Sequence, residues 1–78
     1  VGKHNVRLRN LKKLKAFGAH LRKLRIERNL SQEQLADIAG VSENTIVTLE
    51  SGKLNTSIAT SFELAKALDV PVRDLFDF

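Results

Sequence analysis

The chain has no cysteine among its 78 residues. That excludes disulfides and thiolate metal sites, and it fits a reducing compartment. No apolar run approaches the ~20 residues needed to span a bilayer, and no signal peptide is visible. A soluble, cytoplasmic protein without a membrane partner is expected. There is no Gly-rich phosphate loop, no metal-ligand spacing and no pair of carboxylates with a pocket implied around it. The only histidines are His4, in the N-terminal segment, and His20. His20 lies towards the edge of a helix's apolar face, where a structural or surface role is expected. The serines have helix caps to explain them. Neither enzymatic activity nor a cofactor or metal is expected. No strand-like alternation of useful length and no internal repeat appears.

What remains is an ordinary globular composition, 42% hydrophobic, with a net charge of +4. One domain is the limit at this length, with a modest core. The charge is unevenly placed. Residues 1–28 hold ten Lys/Arg and one acid, Glu27, while residues 29–78 hold three Lys/Arg and eight acids. This polarity suggests an anionic partner for the N-terminal half, or else a solvated basic helix face.

Residues 1–10 show no clear period and carry Lys3, His4, Arg7 and Arg9. They are read as a flexible basic arm, which either reaches a minor groove or phosphates or is a disordered tail or vector remnant. From Leu11 the pattern turns helical, with Leu11, Leu14, Phe17, Leu21 and Leu24 on one face. Gly18 is a weak point in that helix, and Asn29 is a plausible end. Arg25 falls inside the apolar arc. A guanidinium facing a core needs a carboxylate, and Glu50 is the best candidate; otherwise Arg25 must snorkel to water.

Ser31 and Gln34 form a capping-box pattern that starts a second helix, with Leu35 and Ala36 facing inward. Gly40 can end it in the left-handed conformation. Ser42 caps a third helix that runs to about Ser51, and Gly52 ends that one. After a polar loop, Thr56 or Ser57 caps a fourth helix with an apolar stripe of Ile58, Phe62, Leu64, Ala65 and Leu68. Pro71 suits the first position of a last short helix, with Val72, Leu75 and Phe76 on its apolar side. The expected fold is all-α, a compact five-helix bundle.

The third helix is the most informative element. With Glu43 at zero, Val47 lies near ~40°, Ser51 near ~80°, Asn44 near ~100° and Thr48 near ~140°. Ile46 and Leu49 lie on the far side. The outward arc is polar and contains no Lys or Arg, whereas a solvated helix usually carries more charge. These residue types suit base edges: Asn pairs with adenine, Glu accepts from cytosine N4, Thr bonds either class of base and Val meets the thymine methyl. Affinity must then come from phosphate contacts made elsewhere. The candidates are Gln32 with the amides at the start of helix two, Ser51, Lys53 and Asn55. A small bundle whose third helix happens to be polar outside is the bland alternative.

The segment S31-Q32-E33-Q34-L35-A36 … G40-V41-S42 … T45-I46 … L49-E50-S51-G52-K53 resembles the helix-turn-helix of the Cro and phage-repressor type, the XRE family. The likeness runs from about Leu14 to Phe76, more loosely outside residues 31–53. It implies a lambda-repressor-like five-helix DNA-binding domain over residues 11–78, usually acting as a dimer. By position, Gln32 resembles the family glutamine that contacts phosphate. Ser42, Glu43, Asn44 and Thr48 sit at its recognition-helix contacts, and Lys53 at a common phosphate-contacting position. Arg25 and Glu50 match its interhelical ion pair. Three positions depart from the pattern: Thr56 stands for a frequent proline, Asp69 for a frequent glycine, and Pro71 for a frequent serine cap.

These readings imply a sequence-specific binder of double-stranded DNA, a transcriptional regulator with residues 42–51 in the major groove. Base readout falls to Ser42, Glu43, Asn44, Val47 and Thr48. Phe76 and Phe78 are expected at a homodimer contact, because Phe78 has little to bury against in a monomer. No small-molecule ligand is expected. The alternative is a protein-interaction module of the same fold, such as an antitoxin or a transcription adaptor.

Overall fold

Serine side-chain caps start three of this chain's helices. The computed structural model describes the backbone of residues 2–53 and 55–78, and the side chains from Asn10 onward except Leu54. Its elements in order are α1 (Gly2–Glu27), α2 (Gln32–Ala39), α3 (Glu43–Glu50), α4 (Ile58–Leu68) and a C-terminal 3-10 helix (Val72–Phe76). No strand occurs among the described residues.

The starts of α2, α3 and α4 each have a local cause. At α2 the Ser31 hydroxyl accepts from the Gln34 amide, and the Gln34 side chain accepts from the Ser31 amide. That reciprocal box satisfies two orphan donors of the first turn. Gly40 closes α2 in the left-handed region, φ 74°. Ser42 and Ser57 cap α3 and α4 by accepting from Thr45 and Thr60 amides. Asn29 and Asp69 both take φ 57° after a helix. Asp69 therefore adopts, with a side chain, the conformation that glycine fills without strain.

Two expectations about the helices are corrected. Periodicity placed the start of α1 at Leu11, but the helical backbone begins at Gly2 and runs through residues 2–10 without a break. A polar, basic stretch can continue a helix that tertiary packing has nucleated further on. The molecule's longest dimension, 41 Å, matches the ~39 Å expected of this helix. The last segment is also not a fifth α-helix. Pro71 keeps an extended ψ of 149°, and the five residues after it wind as 3-10, a geometry common in short pieces. Among the described residues the architecture is four α-helices and one 3-10 helix.

The core joins Phe17 and Leu21 of α1, Leu35, Ala36 and Ala39 of α2, Ile46 and Leu49 of α3, Leu64, Ala65 and Leu68 of α4, and Leu75. α1 packs on α3 and the 3-10 helix, while α2 packs on α3 and α4. The apolar stripes were overdrawn: Leu11, Ile58, Phe62 and Phe76 are about half or more exposed, from 48% at Leu11 to 75% at Ile58. Phe76 stacks on Phe17 with centroids 5.4 Å apart, and Phe78 meets the edge of the same ring at 6.4 Å. His20 is structural, its Nε2 hydrogen-bonded to the Asp74 carbonyl at 2.6 Å. It ties α1 to the 3-10 helix.

Gly18 is the largest revision. A β-carbon there would overlap the Leu49 carbonyl oxygen and lie 2.7 Å from that of Glu50. The glycine is the point where the α1 backbone meets the C-terminal turn of α3. Gly52 makes a second close approach, with φ 77° and a built β-carbon 2.7 Å from Lys15 Cα. These two glycines seat the end of α3 against α1 and so set the angle at which α3 is presented.

Candidate nucleic-acid interface

α3 is held at both ends. At its start, the Ser42 hydroxyl accepts from the Thr45 amide and lies 2.8 Å from the Thr45 hydroxyl. At its end, Glu50 anchors a network that joins three elements. Arg25 Nε and Nη2 donate to the two Glu50 carboxylate oxygens at 2.6 and 3.1 Å, while Arg25 Nη1 donates to the Leu30 carbonyl at 2.8 Å. The side chains of Arg25 and Glu50 are only 11% and 4% exposed. The apparently misplaced arginine thus meets its carboxylate, and a forked guanidinium satisfies both oxygens at once.

Gln32 belongs to the same network. Its Nε2 donates to Glu50 Oε1 at 3.1 Å. One of its two amide hydrogens is thereby committed, and the carboxamide is half-buried at the start of α2. Sequence reading missed this link. No signal for it stands in the residues alone, since Gln32 and Arg25 meet only through their shared partner Glu50.

The outward residues of α3 differ in what they have free. Glu43 and Asn44 are exposed, and their side chains have no hydrogen-bond partner among the described residues. Val47 is 40% exposed. The Thr48 hydroxyl is turned back to the Asn44 and Thr45 carbonyls at 2.9 and 3.1 Å, and Ser51 donates to the Thr48 carbonyl at 2.8 Å. Such back-bonding leaves a methyl and a lone pair facing out. Ser42 is likewise engaged as the cap. The donors and acceptors of this arc are therefore concentrated at Glu43 and Asn44.

Of the remaining residues, Lys53 is exposed and its amide donates to the Thr48 carbonyl at 3.1 Å. Asn55 is exposed and lies apart from α3, on the rim of an apolar groove of about 510 Å³ that also holds Asn10, Lys13, Phe17, Phe76 and Phe78. The structure thus brings Gln32, Arg25 and Glu50 together, sets Lys53 just beyond α3, and puts Asn55 with the C-terminal aromatics. No cluster of acids and histidines able to hold a metal occurs among the described residues. No described helix is long and apolar enough to cross a membrane.

Comparison with known proteins fits this geometry. Residues 21–75 match a family model described as helix-turn-helix. The chain is 36% identical over 58 residues to an uncharacterized HTH-type transcriptional regulator of Archaeoglobus fulgidus, covering 74% of this chain and 82% of that protein. It is 39% identical to the cryptic phage CTXphi transcriptional repressor RstR of Vibrio cholerae, covering 76% of this chain and 53% of the repressor. Among solved structures it is similar to the restriction-modification controller protein C.AhdI of Aeromonas hydrophila. That match has a TM-score of 0.83 and 39% identity, over 85% of this chain and 96% of the other. With α2, the Gly40 turn and α3 arranged as described, the chain belongs to the helix-turn-helix family of transcriptional regulators.

Proposed function

We propose that this chain binds double-stranded DNA sequence-specifically and regulates transcription, with α3 lying in the major groove. One observation carries the reading. α3 presents an exposed arc without Lys or Arg, in which Glu43 and Asn44 have uncommitted polar groups, on a helix fixed at both ends by a cap and an ion pair. Asn44 suits adenine, Glu43 suits cytosine N4, and Val47 with the Thr48 methyl suits thymine. Ser42 contributes chiefly by fixing the helix start. Gln32 with the first amides of α2, Lys53 and Asn55 serve as phosphate contacts, and Ser51 joins them only by turning its hydroxyl away from the Thr48 carbonyl. The site of action is the cytoplasm, and the role is regulatory rather than enzymatic.

The same reading includes a homodimer. Phe76 and Phe78 are 51% and 54% exposed and border the apolar groove with Ile58. A second copy placed there would give paired half-sites about one DNA turn apart, ~34 Å. The groove also favours a second reading, in which it takes a different protein, as an antitoxin or adaptor would.

Selection of bound duplexes from random DNA tests the proposal. The expected result is an enriched palindrome with affinity that falls steeply as salt rises. Absence of any enriched sequence, with a salt-insensitive protein partner instead, would favour the second reading and sink the first.

A further inference from the structure

α3 cannot hold DNA by itself, because its outward arc has no cation. The structure points to where the missing charge lies. Gly18 marks the line along which α1 touches α3. Taking Gly18 as zero around α1, Leu21 and Phe17 lie ~60° and ~100° to one side, towards the core. On the other side lie Arg22 at ~40°, Lys15 at ~60°, Lys12 at ~120° and Lys23 at ~140°. The α3 contact is therefore flanked by the core on one side and by a basic strip on the other.

Two cations of this strip lie near the end of α3. The Lys15 backbone and stem lie against Gly52, the residue before Lys53. Arg22 and Lys23 line an open depression whose wall includes Glu50. Glu50 is already satisfied by Arg25 and Gln32, so it has little charge left to offer Arg22. No ion pair other than Arg25–Glu50 occurs among the described residues. Lys12, Lys15, Arg22, Lys23 and Lys53 are all exposed, and the only acid on α1 is Glu27, which follows Lys23 by one helical turn at the outer edge of the same depression and leaves Lys15 and Arg22 further from it around the helix.

We infer that this flank of α1, with Lys15 and Arg22 at its edge and Lys53 continuing it, is a phosphate-binding strip of the DNA interface. It grips the backbone beside the groove that α3 enters. The inference rests on the proposed DNA binding and adds a surface outside the helix-turn-helix to it. The α3 C-terminus also carries partial negative charge, which nearby cations stabilise. A strip serving only that end would act on folding and not on binding.

The test uses the full chain with Lys15→Gln and Arg22→Gln combined, a duplex recovered by selection and an unrelated duplex. Binding is followed from about 50 to 200 mM salt, and thermal melting is recorded in parallel. The expected result is weaker binding to both duplexes by the same factor, and a slope of log affinity against log salt shallower by about two units. Base preference stays as in the wild type, and the melting temperature falls only by the small loss of two exposed cations beside a helix end, so the variant remains folded at the binding temperature. Lys66→Gln, which removes one charge from α4, leaves the slope unchanged. Wild-type slope and affinity in the double variant, while the wild type still selects its site, would overturn the strip and leave the DNA reading intact. An equal loss in Lys66→Gln would reduce the effect to net charge and overturn it too. A wild type with no salt-sensitive DNA binding removes both.

Discussion

α1 and the α2–α3 segment are built on opposite terms. The first 28 residues carry ten of the chain's 13 basic side chains, and the outward arc of α3 carries none. α1 is long and has one exposed flank of repeated charge. α3 is eight residues long, capped, and varied in side-chain type. Repeated charge suits a partner whose phosphates repeat whatever the sequence, and varied short side chains suit a partner whose base edges do not. On the proposed DNA reading, the difference assigns affinity and specificity to separate helices, held in one geometry where α1 meets the end of α3.

That junction is where the comparison is most easily broken. Glu50→Ala leaves the nearly buried Arg25 without its carboxylate and is expected to cost about 3–5 kcal/mol. Denaturant unfolding would show it, and a loss under about 1 kcal/mol would mean that Arg25 escapes to water. Gly18→Ala drives a methyl group into backbone carbonyls of α3. Strain of about 1–3 kcal/mol is expected, together with weaker DNA binding in the surviving folded fraction because α3 is pushed off its angle. A neutral result would show that the close approach of the two helices has slack.

Asn44→Ala sharpens the other half of the comparison. It should relax base preference at one position by roughly 1–3 kcal/mol without lowering the melting temperature, since Asn44 is exposed. Asp69→Gly lies outside both regions and is the smallest effect. It relieves a left-handed residue at the end of α4 and should stabilise by at most ~1 kcal/mol, with DNA affinity unchanged. A change in base preference there would blur the separation.

Much of this was legible in the residues. Ser31 with Gln34, Gly40, Ser42 and Ser57 mark their helix ends through local hydrogen bonds, which need only near neighbours in sequence. Arg25 announced itself by standing in an apolar arc. Gly18 did not, because a glycine reads the same whether a helix is weak or another backbone presses on it. Only the three-dimensional approach of α3 distinguishes the two. The N-terminal extent of α1 was hidden for a related reason: residues 2–10 lack the periodicity that marks a buried face. Phe62 and Ile58 were assigned to the core by spacing alone, yet the core is closed by Leu64, Ala65 and Leu68 before reaching them. The back-bonded hydroxyls of Thr48 and Ser51 were likewise invisible to helical angles, which give direction and not the bonds already made.

The division of labour between α1 and α3 is tested most directly by the salt dependence of Asn44→Ala on a selected duplex. The predicted result is a lower affinity at every salt concentration with the wild-type slope, because a base contact is lost and no phosphate contact is. A slope reduced by about one unit, or a site preference identical to the wild type, would contradict it.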